Sequence, residues 1–378
     1  MYNIKKYLTG NLLNVPGWQT RRKIVVIESD DWGTIRMAST NAYNRFLKNN
    51  FPVDECPYSS FDALESNEDL EMLFEALSAV KDKNGNPAII TANNIAGNPD
   101  FAKIKASAFQ QYFYEPFTET LKRYPQHNRV EALYKEGIRK KLLMPQFHGR
   151  EHVNTERWLK ALQEGDKTTL QAFDESMFSV HAHHKPAFKN ELMDALDADC
   201  EETLNNKQTI VKEGLELFNT IWGFHSKSFI APCYIWSSSL ESLLAKNGVH
   251  YIQGVAVQLE PTMEPGYRYK KKYHYQGQTN KLGQHYLVRN VFFEPSTNSH
   301  FDWVNDSLNR INTAFRWSKP AIISTHRLNF MGYLRPENRA DNLILFTQLL
   351  KSIVRRWPEV EFISTDQLGD LMKQKNNY

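Results

Sequence analysis

Two adjacent aspartates, Asp30 and Asp31, two histidines four residues apart, His148 and His152, and a lone histidine, His326, each follow a short apolar run. The runs are residues 24–27, 142–147 and 321–325. Carboxylates and imidazoles are the side chains that hold divalent cations and that transfer protons. On a helix, two histidines four apart lie on one face and can reach one ion. No piece decides the matter alone. Adjacent aspartates are common in turns and helix caps, a histidine pair four apart arises readily by chance among twelve histidines, and a solitary histidine is usually a satisfied polar residue. Their common placement carries the reading, because α/β folds build active sites where parallel strands end.

Two other constellations compete. His181, His183 and His184, bracketed by Asp174, Glu175 and Pro186, could form a second metal site or a loop reaching over the substrate. Their spacing matches no closed zinc motif, so a polar surface turn is the simpler reading. Asp30 could also pair with Glu28 or Glu294 as the two carboxylates of a glycosidase, which stand about 5–9.5 Å apart across the scissile bond. Glu28 lies two residues from Asp30 and so shares its face of a strand.

The elements that must position these residues are legible as alternating short apolar runs and amphipathic stretches, the mark of βα units around a parallel sheet. Strands are expected at residues 24–27, 88–92, 142–147, 228–231, 250–254, 286–293, 321–325 and 360–364. Helical stripes fall at 67–83, 201–222, 237–246, 301–317, 338–357 and 366–375. Seven or eight strands in this alternation predict an α/β fold, a distorted (β/α) barrel, with a doubly wound open sheet as the alternative. Nothing divides the chain, so residues 1–378 read as a single domain. Two excursions, 93–141 and 165–206, are too long for simple βα loops.

Composition narrows the partners. Lysine and arginine number 46 against 43 aspartates and glutamates, a net charge of +3, which gives no electrostatic case for nucleic acid. Lys270-Lys271-Lys272 reads as a solvated loop. The cysteines, Cys56, Cys200 and Cys233, are odd in number and far apart, which argues against a disulfide framework. No segment has the length and hydropathy of a signal peptide or membrane span, so cytoplasmic residence is expected. Aromatic residues make up 12% of the chain, compatible equally with a packed core and with a sugar-binding cleft.

Taken in order, the motifs resemble those of the NodB-like polysaccharide deacetylases, carbohydrate esterase family four. Asp30-Asp31 resembles the paired aspartates of that family, and His148-Gly149-Arg150-Glu151-His152 its His-x-x-x-His motif. Phe229-Ile230-Ala231-Pro232-Cys233-Tyr234 resembles the third motif, Asp302-Trp303 the end of the fourth, and the run from Ile322 to His326 the fifth. The segment from Glu361 to Thr365 resembles the closing strand. The resemblance implies a metal-dependent hydrolase that removes acetyl groups from an acetylated sugar or polysaccharide precursor. Asp31, His148 and His152 would hold one divalent metal, most simply Zn²⁺. Asp30 would act as base, His326 as acid, and a backbone N–H near Tyr234 would serve the oxyanion. Tyr234, Trp32, Trp303 and Arg150 are the further candidates for substrate or oxyanion contact. Two positions depart from the family: Ile230 stands where it carries an arginine, and Ser299 where it carries an aspartate. Arg150 or Arg327 could replace that arginine. A glycoside hydrolase on a similar barrel, or an inactive carbohydrate-binding barrel, are the alternative functions.

Overall fold

The computed structural model describes residues 4–180, 191–263 and 269–375. Its main sheet contains β1 (Lys23–Trp32), β2 (Ile90–Ile95), β3 (Leu143–Gly149), β4 (Ser228–Ile230), β5 (Tyr251–Gly254), β6 (His285–Val288), β7 (Val291–Phe292), β8 (Ala321–His326) and β9 (Val360–Phe362). Every pairing is parallel, in the order β6-β5-β4-β3-β2-β1-β8-β7. Only Arg289 and Asn290 separate β6 and β7, the strands at the two ends of that path. The Arg289 N–H donates to Gly254 O on one side and the Asn290 N–H to Ile322 O on the other. One continuous segment therefore bridges both edges and curls the sheet into a (β/α) barrel. Strand β9 pairs only with the start of β1, from Lys23 to Val25, which distorts the ring. The expected strand at 286–293 is thus two short strands meeting at the barrel's seam.

The run Ile24-Val25-Val26-Ile27 is buried on both faces, which is why it shows no polar alternation. Ile24 and Val26 pack inward with Tyr251, Leu287 and Ile322 from other strands around the barrel. Leu368 and Met372, from the terminal helix Thr365–Lys375, join the same interior cluster. Val25 and Ile27 face outward, toward a helical layer that includes α1 (Asn67–Ser78) and α2 (Pro336–Arg356). The first of these starts where Ser66 and Asp69 form a capping box, a local reason for a helix to begin there.

Described parts of both long excursions pack beside the segment that follows β1. Ile104 from the first and Trp158, Phe173, Phe178, Leu192 and Met193 from around the second form one buried cluster with Ile35, just beyond β1. His181, His183 and His184 lie outside the described residues. Lys270-Lys271-Lys272 is not a loop. It belongs to an antiparallel ladder, Val257–Pro261 with Tyr269–Tyr273, where the Lys272 ammonium bonds Glu260 Oε1 at 2.8 Å. Lys270 and Lys271 are exposed and Lys272 is half-buried, and charged residues suit a strand with an open edge. Among the described residues, no helix is long and apolar enough to cross a membrane.

Candidate active site

Consecutive residues of a strand point to opposite faces, so Asp30 and Asp31 could not both face the barrel mouth on a regular strand. The ladder between β1 and β2 breaks to allow it. Ser29 pairs with Ala92 and Trp32 with Asn94, leaving Asp30 and Asp31 opposite the single residue Asn93. Asp31 takes up the extra length with φ +75°, a left-handed conformation typical of such bulges. The same device recurs in β3. Asn94 pairs with Phe147 and Ile95 with Gly149, so His148 is the inserted residue, and Gly149 at φ +130° supplies a backbone geometry open to glycine.

These bulges bring Asp31, His148 and His152 together, all buried, with one ligand atom from each lying within 4.8 Å of the others. Both Nε2 atoms face the same carboxylate oxygen: His148 lies 3.4 Å and His152 3.2 Å from Asp31 Oδ1. His148 Nδ1 lies 3.0 Å from Ile230 O. A carbonyl can only accept, so Nδ1 carries the proton and Nε2 presents its lone pair, as a ligating imidazole must. Burial, outweighing the attraction of Asp31, lowers the pKa of His152 and favours its neutral, ligating form. The donor set, its burial and its tautomer all fit a divalent metal.

Asp30 faces the same cavity and is held differently. Arg289 Nη1 donates to Oδ2 at 2.7 Å, Arg289 Nη2 to Oδ1 at 2.6 Å, and Asn93 Nδ2 to Oδ1 at 2.7 Å. Burial pushes the carboxyl pKa up, but the charge and hydrogen bonds of Arg289 overcome it and hold the group below the usual carboxylate range. Across the β1–β8 pairing, Asp30 is in register with His326, and His326 Nε2 stands 3.9 Å from Asp30 Oδ2. The other nitrogen, Nδ1, bonds Glu294 Oε1 at 2.7 Å. Burial lowers the imidazole pKa, yet Glu294, with Asp31 and Asp30 behind it, raises it to about 10.

Arg289, at the seam between β6 and β7, holds Asp30, and Glu294 holds His326, whereas Arg150 and Arg327 bond other carboxylates. Arg150 lies in ion pairs with Glu151 and Glu213, and Arg327 with Asp62 and Glu65. Ser299 is exposed on the surface, and the carboxylate facing the histidine is that of Glu294. The one signal for Arg289 was a polar pair, Arg289-Asn290, inside an otherwise apolar run.

Three of the expected contact residues lie elsewhere. Trp32 is fully buried, donating to Ser29 Oγ at 3.0 Å and meeting Tyr134 edge-on, a core role. Trp303 opens a surface helix and donates to Asn298 O. Arg150 points away from the cavity into its ion pairs, against the Tyr114 ring at 4.3 Å. Tyr234 does line the cavity, with its hydroxyl accepting from Arg289 Nη1 at 3.1 Å. Its backbone N–H is already donated to Ala231 O, so it does not serve as the free oxyanion donor expected there. Glu28 sits fully buried behind Arg289, which donates to it at 2.6 Å, and does not line the cavity.

The cavity measures about 150 Å³ and is closed in by Arg36, Tyr58, Met193 and Cys233 around the five central residues. A larger cleft of about 890 Å³ runs between α1 and α2, but it brings together no histidine, cysteine or aspartate.

No family model matches the sequence, and no curated protein matches it. Solved structures do. A protein from Parabacteroides distasonis, named for glycoside hydrolase/deacetylase activity, aligns over 94% of this chain and 72% of its own, at 10% identity and a TM-score of 0.50. The chain has the NodB-like deacetylase fold. A protein from Pseudomonas aeruginosa named for polysaccharide deacetylase activity aligns over 95% of this chain and 93% of its own, at 8% identity and a TM-score of 0.47. A 4-alpha-glucanotransferase from Thermococcus litoralis aligns over 92% of this chain, at 9% identity and a TM-score of 0.44, and this chain spans 40% of its length. A NodB-like fold supplies the frame, and the chemistry must be argued from the site itself.

Proposed function

We propose that the protein is a metal-dependent hydrolase that removes an acetyl group from an acetylated sugar. The observation that carries this reading is one small cavity faced by the Asp31, His148 and His152 group and by the Asp30–His326 pair. A divalent ion, most simply Zn²⁺, held by Asp31, His148 and His152 would polarise the acyl carbonyl and lower the pKa of water beside it. Asp30, kept anionic by Arg289, accepts the proton of the attacking water. His326, its Nδ1–H directed to Glu294, delivers a proton from Nε2 to the departing nitrogen or oxygen. Arg289 and Asn93 fix the Asp30 carboxylate so that its motion costs nothing at the moment of reaction. A cavity of 150 Å³ is below the roughly 300–1,000 Å³ of a pocket that swallows a whole ligand. It suits the acetyl group and the atoms bearing it, with the rest of the sugar outside.

The deciding experiment is hydrolysis in ¹⁸O water across a panel of acetylated sugars. Labelled acetate is expected, dependent on added metal and on His326. Label on an anomeric carbon without acetate would replace this reading with glycoside hydrolysis, which is how the carboxylate-pair alternative is separated.

Metal content gives a second test. The wild-type chain should carry about one divalent ion, and the double variant His148→Ala, His152→Ala should carry none while keeping its far-UV circular dichroism. Stoichiometric metal in the double variant, read by elemental analysis, would remove these residues from the site.

A third test uses pH. In the metal-free chain the His326 imidazole should titrate near 10, and Glu294→Gln should bring it down toward the ordinary value of about 6.5. Because the folded pKa is raised, the stability that His326 contributes is complete below about 6.5 and is lost as pH climbs through 10. A bound cation opposes the imidazolium, so the alkaline limb of kcat/KM falls below that value. In Glu294→Gln the limb should move further toward acid, with the loss of rate growing as pH rises. A limb that stays in place would show that Glu294 does not govern the acid.

A further inference from the structure

The two oxygens of Asp31 have different neighbours. Oδ1 is faced by both histidine Nε2 atoms, at 3.4 and 3.2 Å. Oδ2 instead accepts from Arg36 Nη2 at 3.1 Å. A carboxylate oxygen engaged by a guanidinium has a lone pair committed and its charge partly neutralised.

Arg36 is also held so that it stays there. Its side chain is only 9% exposed, and its Nε lies 3.3 Å from Asp62 Oδ2. The rings of Tyr58 and Phe178 lie 5.5 and 5.8 Å from the guanidinium carbon. Asp62 in turn accepts from Arg327 Nε at 2.9 Å, and Arg327 is tied to Glu65 Oε2 and to Thr34 O, each at 2.6 Å. Glu65 closes the chain by accepting the Gly33 N–H. The loop that follows β1 is thus braced at both ends, and the guanidinium cannot swing off Oδ2 without stranding buried charge.

We propose that Arg36 is a positioning residue that makes Asp31 a one-oxygen ligand, trading metal affinity for an open coordination position and a more electron-poor ion. The inference rests on the reading that Asp31, His148 and His152 hold a metal. A carboxylate free at both oxygens can chelate one ion through both. Here the second oxygen is withheld, and a fixed positive charge stands beside the ligand. Both effects weaken binding, and both leave the ion a stronger Lewis acid toward a carbonyl.

Cobalt(II) is the probe, because its visible absorption reports coordination number and its uptake reports affinity without any substrate. The wild-type chain should bind one Co²⁺ with the intense visible bands of low coordination. Arg36→Met should bind Co²⁺ at least about tenfold more tightly, through loss of a nearby positive charge, and its bands should weaken as Oδ2 joins the ion. Arg36→Lys, which keeps the charge without the planar fork, should fall between. Zinc-edge X-ray absorption on the wild-type chain reads directly whether the carboxylate gives one oxygen or two, and needs no variant to fold. Unchanged or weaker Co²⁺ binding by Arg36→Met with unchanged bands would overturn the role of Arg36 alone, as would two carboxylate oxygens in the wild type. A wild-type chain that takes up no Co²⁺ would overturn the metal site as well.

Discussion

Asp30→Asn is expected to lower kcat by about 10²–10⁴, the usual contribution of a general base, while metal content stays at one ion per chain. The substitution keeps the size and planarity of the side chain and removes its capacity to take a proton. Asp30 belongs to no part of the Asp31, His148 and His152 group, so the ligand set is untouched. Asp31→Asn should do the reverse, losing the ion first and activity as a consequence. Measuring kcat, KM and metal content on the same preparations separates the two roles. Loss of metal from Asp30→Asn would mean that the adjacent aspartates share the ion.

What the sequence made legible, and what it hid, follows from the range of the interactions. The strands could be read because residues such as Ile24–Ile27 are buried on both faces, and burial writes itself into residue type. The grouping of Asp31, His148 and His152 could be read because these residues come at or just beyond the ends of apolar runs. That both Asp30 and Asp31 turn inward could not be read, since it depends on a bulge against Asn93, a residue 63 positions from Asp30. Arg289 was hidden for two reasons. Its strand read as unbroken from 286 to 293, and its partners Asp30 and Glu28 lie 259 and 261 residues away. Trp32 and Trp303 were drawn toward the substrate by their chemistry, whereas packing against Tyr134 and a hydrogen bond to Asn298 place them elsewhere. Residue type limits what a side chain can do, and tertiary contact selects which of those things it does.

The same buried cation gives the largest expected effect on stability. Arg289 is fully buried, donating to Glu28 at 2.6 Å, to Asp30 through both terminal nitrogens, and to Ser324 Oγ at 3.2 Å. Arg289→Met removes one charge and leaves two buried carboxylates facing each other, so a loss of roughly 3–5 kcal/mol is expected in urea or thermal unfolding. Adding Glu28→Gln to that variant removes one of the stranded carboxylates while keeping an acceptor for Thr365, whose hydroxyl bonds Glu28 Oε1 at 2.8 Å. The double variant should therefore be more stable than Arg289→Met alone, with a coupling energy within the roughly 0.5–3 kcal/mol seen for residues in contact. Arg289→Lys should keep much of the stability yet lose rate, because one ammonium cannot clamp Asp30 bidentately and also reach Glu28. Its defect should lie in kcat, not KM, since Arg289 is reached only through Asp30 and Tyr234 and does not itself line the cavity. Equal stability of Arg289→Met and the wild type would show that this arginine does not anchor the base. A double variant no better than the single one would show that Glu28 is already neutral there, in line with burial raising its pKa, and would place the whole cost of losing Arg289 on Asp30.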